Sequence, residues 1–130
     1  MNAHELGFID FLAGKSLNRL RTLLELGPKR RSDVRALLGH GIELDPRYSR
    51  HLTGSESLAG AIEQCLRSLG APETCFVMSA DDELDGREML LTDAVEAVSG
   101  GYSGAFISCI PGKLGYFEYE DRESAYLLRK

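Results

Sequence analysis

Gly70 and Pro72 divide this chain into two stretches with different hydrophobic periods, and no single class of secondary structure satisfies both. Before the break, apolar residues recur at three- and four-residue spacing, the period of a helix with one buried stripe. Phe8, Phe11, Leu12, Leu17, Leu20, Leu23 and Leu24 predict a helix from Phe8 to Leu26, stopped by Gly27-Pro28. Val34, Leu37 and Leu38 predict a second, short helix starting at Ser32 or Asp33. Asp45 as cap and Pro46 at the first helical position predict a third over Arg47 to Leu52. Thr53 and Glu56 have capping-box spacing ahead of a fourth helix carrying Leu58, Ile62, Cys65, Leu66 and Leu69.

After the break the pattern shortens. Thr74 to Ser79 is an apolar, β-favouring run and predicts a strand, and Asp93 to Ser99 predicts a short helix. Ala105 to Ile110 and Leu114 to Tyr119 flank Pro111-Gly112-Lys113 and predict a hairpin. If Ile110 faces Leu114, one hairpin face shows Phe106, Ser108, Ile110, Leu114 and Tyr116, and the other Ile107, Cys109, Phe117 and Tyr119. An antiparallel sheet wet on one side alternates apolar and polar residues, so a hairpin apolar on both faces needs cover on both. Helices or a second copy of the chain supply that cover, and a homodimer burying part of 105–119 is the expectation.

The fold class that follows is α+β. N-terminal helices pack on a small sheet made of one strand and, after one helix, a β-hairpin. With 130 residues and no long linker or repeat, residues 1–130 form one domain, with a helical subdomain over 1–70 and a strand-helix-hairpin subdomain over 71–130. Charge follows the same boundary: ten Lys/Arg stand against eight Asp/Glu before it and five against twelve after it, so +2 and −7 make the net −5. Two poles of opposite sign point to partners rather than to a reaction. No apolar run reaches the roughly 18–20 residues that span a bilayer, so no membrane association is expected. A start containing His4, Glu5 and Asp10 does not resemble a secretory leader, so the expected location is cytoplasmic.

Residues 32–52 resemble a helix-turn-helix, with Val34, Leu37 and Leu38 on the first helix, glycines in the turn and an Arg-bearing second helix. The resemblance implies a DNA-binding regulator with Arg47, Tyr48, Arg50 and His51 at the bases and Lys29, Arg30 and Arg31 at phosphates. Seven Lys/Arg between residues 15 and 35 suit that surface, whereas Glu43 and Asp45 oppose it.

Other motifs are incomplete. Ala13-Gly14-Lys15-Ser16 ends like a phosphate-binding loop, but Ile9 stands where its first glycine belongs. Asp81, Glu83, Asp85 and Gly86 begin like a calcium loop, but Thr92 replaces the closing carboxylate, so 81–88 reads as a solvated acidic loop. The link Ser99-Gly100-Gly101-Tyr102-Ser103-Gly104 has amides suited to an anion. Cys65, Cys75 and Cys109 form no CxxC pair and read as buried reduced thiols. Cys109 as the nucleophile of a thiol enzyme needs a base, and all three histidines lie in the other half of the chain. No metal site or cofactor is expected. The leading expectation is a non-enzymatic interaction or regulatory module, with the DNA-binding regulator as the alternative and the thiol enzyme third.

Overall fold

The computed structural model describes residues 2–101, 103–121 and 124–130. Among them the chain order is α1 (Ala3–Ile9), α2 (Gly14–Leu26), α3 (Arg31–His40), β1 (Ser49–Leu52), α4 (Ala59–Ser68), β2 (Thr74–Ser79), β3 (Arg87–Leu90), α5 (Leu91–Val98), β4 (Ala105–Ile110), β5 (Leu114–Glu118) and β6 (Ala125–Arg129). The six strands form one antiparallel sheet in the order β1-β6-β5-β4-β2-β3. The class is α+β.

Strand period places alternate residues on opposite sheet faces, and here both sets are apolar. Phe76, Met78, Phe106, Phe117 and Leu128 pack with Phe8, Phe11, Leu20, Leu23, Val34 and Leu38 beneath α1–α3. Cys75, Val77, Ile107, Cys109, Leu114, Tyr116 and Leu127 pack with Ile62, Leu66, Leu91, Val95 and Val98 beneath α4 and α5. Three layers result, helices on both sides of a sheet. The chain's own helices therefore cover both faces of the 105–119 hairpin, which removes the reason for expecting a homodimer there.

The hairpin pairs Ile110 with Leu114 as the turn predicts, but the register shifts between Ser108 and Ile110. That bulge adds one residue to β4 and exchanges the partners beyond it. Phe106 faces Phe117 and Ile107 faces Tyr116, so Phe106, Ser108 and Phe117 share one side, while Ile107, Cys109, Leu114 and Tyr116 share the other. A bulge has no strong sequence signal.

The helix predicted over 8–26 is two helices. Asn2 and Glu5 form a capping box that starts α1 at Ala3. The chain then reverses through Asp10 to Ala13, with Leu12 bridging Leu44 and the Asp45 amide donating to the Phe11 carbonyl at 2.8 Å. Ser16 secures the restart: its hydroxyl donates to the carbonyls of Ala13 and Glu43 and accepts from the Glu43 amide. The Gly14-Lys15-Ser16 stretch is thus a joint between chain segments, not a phosphate cradle.

Residues 45–52 are not a helix. Asp45 accepts from the Arg47 amide at 3.0 Å, its carbonyl accepts from the Tyr48 amide at 3.1 Å, and a tight turn leads into β1. Strand β1 pairs Ser49 with Leu128 through to Leu52 with Ala125. An Asp-Pro pair that starts a helix starts a turn equally well, and pairing with β6 decides. Thr53 makes no side-chain cap; residues 54–57 form a 3-10 turn, and α4 begins at Ala59. Gly70 ends α4 with φ +102°, and the Ala71 amide reaches back to the Leu66 carbonyl at 3.0 Å, a glycine-terminated helix end.

Strand β1 stands where a helix is expected, and β3 and β6 carry no expected element, so the sheet has six strands where three are expected. Halves on either side of Gly70 also interleave: β1 pairs with β6, and α4 covers the face opposite α1–α3.

Helix α1 lies close to the hairpin turn. A Cβ on Gly7 would run into the Gly112 amide nitrogen and stand 2.9 Å from the Pro111 carbonyl carbon, both backbone atoms that cannot swing aside. Gly7→Ala is expected to destabilise the fold by about 1–3 kcal/mol through overpacking. Gly60→Ala, in open space on α4, should be neutral or stabilise by up to about 1 kcal/mol. Urea melts of both variants check this, and equal effects would show that the close approach does not constrain α1.

Candidate functional site

The cations proposed for DNA are largely answered by carboxylates of the same chain, and they lie in two places. Arg31 sits at the start of α3 and binds Asp85 through Nε at 2.7 Å and a terminal nitrogen at 2.8 Å, while its other nitrogen meets Glu5. Hydrogen bonding to Asp85, opposed by burial and reinforced by Glu5, raises its pKa above the ordinary arginine value. Arg30 pairs with Asp33 at 2.8 Å, and Lys29 is exposed in the preceding turn. Across the sheet at the β1 edge, Arg47 holds Asp45 and lies 5.0 Å over the Tyr48 ring, Arg50 pairs with Glu56 at 3.0 Å, and His51 stacks on Tyr126 at 4.9 Å. The recognition helix on which the helix-turn-helix resemblance depends is absent, because Ser49–Leu52 is an edge strand.

The acidic segment is not a free loop. Asp85 turns inward, accepting from Arg31 and from the Ser79 amide at 3.0 Å, and Asp81 caps its own turn by accepting from the Glu83 amide at 3.0 Å. Residues 87–90 leave the segment as strand β3. The Asp85 oxygens that a calcium ion would need are already bonded. Among the described residues no group of three or more His, Cys, Asp or Glu is placed to hold a metal.

The glycine-rich link does hold a carboxylate on one of its amides, supplied by the chain itself. Both oxygens of buried Glu118 accept from the Gly100 amide, at 3.1 and 3.0 Å, and one accepts from the Tyr116 hydroxyl at 2.8 Å. Burial, then the neighbouring carboxylate, raises the Tyr116 pKa. Tyr102 lies outside the described residues.

The histidine that reaches the hairpin meets a different residue from the one proposed. His4 stacks on Phe76 with ring centres 5.5 Å apart, and its Nδ1 stands 2.6 Å from the Ser108 hydroxyl. Cys109 faces the opposite side of the sheet, and burial pushes its thiol up to about 12. His40 and His51 also belong to the α1–α3 side, so the sheet separates the thiol from every histidine. The Cys109 nucleophile reading fails on geometry.

One open cavity has both shape and chemistry. It lies between the C-terminal end of α3 and the connection from β5 to β6, encloses about 450 Å³, and is lined by Gly39, His40, Ile42, Tyr119, Glu120, Asp121, Ser124 and Tyr126. Strand alternation directs Phe117, Tyr119 and Tyr126 to the α1–α3 side, but the helices end before the sheet does and leave both tyrosines half-buried. Tyr119 stands edge-on to Tyr126 at 5.7 Å and to Phe117 at 4.8 Å, and its hydroxyl donates to the Ile42 carbonyl at 3.0 Å. Burial raises its pKa and keeps the phenol neutral. Glu120 forms the rim and pairs with His40 Nδ1 at 2.9 Å. An aromatic floor under a carboxylate rim suits a cation. The sequence carries the signal in Phe117 to Asp121 and Tyr126, but it becomes a site only once β6 is placed beside β5.

A smaller cavity of about 180 Å³, lined by Glu5, Leu23, Leu24, Gly27, Pro28, Arg31 and Val34, has its two charged groups bonded to each other. No helix among the described residues is long and apolar enough to cross a membrane. Comparison with protein-family models, curated proteins and solved structures found no match.

The Arg31 bridge fastens α1 and α3 to the β2–β3 connection. Arg31→Met leaves Glu5 without its cation and Asp85 with only the longer contact to Arg35 at 4.0 Å; because Arg31 itself is a quarter exposed, the expected cost is about 1–3 kcal/mol, below that of a fully buried pair. Combining it with Asp85→Asn should cost less than the sum of the two single changes. Denaturant melts of the four proteins check the coupling, and strict additivity would rule out the bridge.

Proposed function

We propose that the chain is a protein-interaction module whose groove between α3 and the β5–β6 connection receives a lysine or arginine side chain of a basic partner segment. The observation that carries this reading is the cavity of about 450 Å³ floored by Tyr119 and Tyr126 and rimmed by Glu120 and Asp121. A cation over a tyrosine face gains about 0.5–2 kcal/mol, most where water is excluded, and a carboxylate beside it adds a charge-assisted hydrogen bond. His40 holds Glu120 at the groove rim, and an incoming guanidinium replaces that contact with a bidentate one. The net −7 of residues 71–130 draws basic segments toward this half of the protein and keeps nucleic acid away.

A fluorescently labelled hexa-arginine peptide is a direct probe. Anisotropy titration should give saturable binding that Glu120→Arg weakens by about tenfold or more, the loss of one charge-assisted contact. The same reversal at Asp82, on the β2–β3 connection, should leave binding within a factor of about two, the residue of long-range attraction alone. Equal losses in the two variants would mean general attraction to an acidic protein and would overturn the groove as the site.

A further inference from the structure

Strands β2 and β4 bring two thiols together on the face away from the groove. Their register pairs Phe76 with Ser108, Val77 with Ile107, Met78 with Phe106 and Ser79 with Ala105. The Ala80 amide donates to the Gly104 carbonyl at 2.9 Å, which sets the phase of the ladder. Alternate pairs from there, 78 with 106 and 76 with 108, are the hydrogen-bonded ones. The pairing ends at Phe76 and Ser108; Cys75 and Cys109 are the next residues of the two strands, and continuing the ladder in phase would put them at a non-hydrogen-bonded position, the kind at which side chains approach most closely. A disulfide needs a Cα separation of about 4.4–6.8 Å. Both side chains point into the same packed layer, beneath α4 and α5, and both are free thiols. The bulge between Ser108 and Ile110 bends and twists β4 at Cys109.

We propose that Cys75 and Cys109 form a reversible cross-strand disulfide when the protein meets hydrogen peroxide, making this pair a redox modification site. Cys75 lies on the strand next to the sheet edge and its thiol donates to the Met89 carbonyl at 3.6 Å; burial raises it less than Cys109, so of the two it reacts first. Its thiolate attacks one peroxide oxygen, the O–O bond breaks, and hydroxide leaves and takes up the thiol proton as water. The product is a sulfenic acid. The Cys109 thiolate then attacks the Cys75 sulfur, the S–O bond breaks, and hydroxide leaves and is protonated to the second water. Two thiols and one peroxide thus become one disulfide and two waters. A dithiol reductant restores the starting state.

Burial makes this pair slow, not inert. It pushes the Cys75 thiol up to about 11 and that of Cys109 to about 12, so thiolate is scarce at neutral pH and the reaction quickens as pH rises. Cys65, half-buried on α4 at the margin of the same layer, is the competitor.

The test is oxidation of the whole protein with hydrogen peroxide at pH 8, followed by denaturation, alkylation and mass spectrometry. The expected product is a monomer two mass units lighter than the reduced chain, alkylated once, at Cys65, with a peptide joining Cys75 to Cys109. Cys65→Ser should give the same loss, and dithiothreitol should reverse it. The oxidised protein should melt at a higher temperature than the reduced one, since the link ties β2 to β4. A disulfide that includes Cys65, a cross-linked dimer, or three alkylated cysteines after exposure would each overturn the proposal. Because these readouts come from the wild-type chain and Cys65→Ser, they do not depend on whether Cys75 or Cys109 variants fold.

Discussion

Strands β2, β4 and β5 carry large apolar side chains on both faces, and the rest of the architecture follows from the need to cover them. Val77, Met78, Phe106, Ile107, Tyr116 and Phe117 are all fully buried, three on each side of the sheet. Leaving either set in water forfeits about 25 cal/mol per Å² of apolar surface, far more than the cost of holding a short helix against it. So a chain of modest length distributes five short helices, α1–α5 among the described residues, over two faces. None of them is long enough to be stable alone.

Polar contacts are arranged around that demand. Glu118 would be an isolated charge in the α4–α5 layer, but the Gly100 amide and the Tyr116 hydroxyl satisfy it. Arg31 plays the corresponding part on the other face, clamped between Glu5 and Asp85. Each of these groups looks available for a ligand when read along the chain. In three dimensions each is the internal partner of another, and what remains open is the margin where the sheet extends beyond its helices. Tyr119 and Tyr126 lie there, and so does the cavity.

Reading from residue types worked where the determinant is local. The strand at Thr74–Ser79, the Pro-Gly hairpin and the helix end at Gly70 need only neighbours in sequence. It failed where a distant segment decides. Asp45-Pro46 opens a turn because β6 lies alongside, and the helix expected from Phe8 breaks because residues 43–45 insert their backbone against Phe11 to Ala13. The site residues depend on folding in the same way: along the chain Arg31, Arg47 and Arg50 stand as cations, and the fold sets Asp85, Asp45 and Glu56 beside them.

The sequence by itself determined that this protein has helices on a sheet apolar on both faces, because period and turn chemistry are properties of consecutive residues. It also determined the sign of the charge on each half. Only the tertiary structure decided that the covering elements come from the same chain, that a bulge exchanges the hairpin partners, and that edge strands β1 and β3 complete the sheet. The reason is that strand pairing is non-local. Four residues such as Ser49–Leu52 or Arg87–Leu90 have no preference strong enough to name their own state, and the backbone groups offered by β6 and β2 choose it for them.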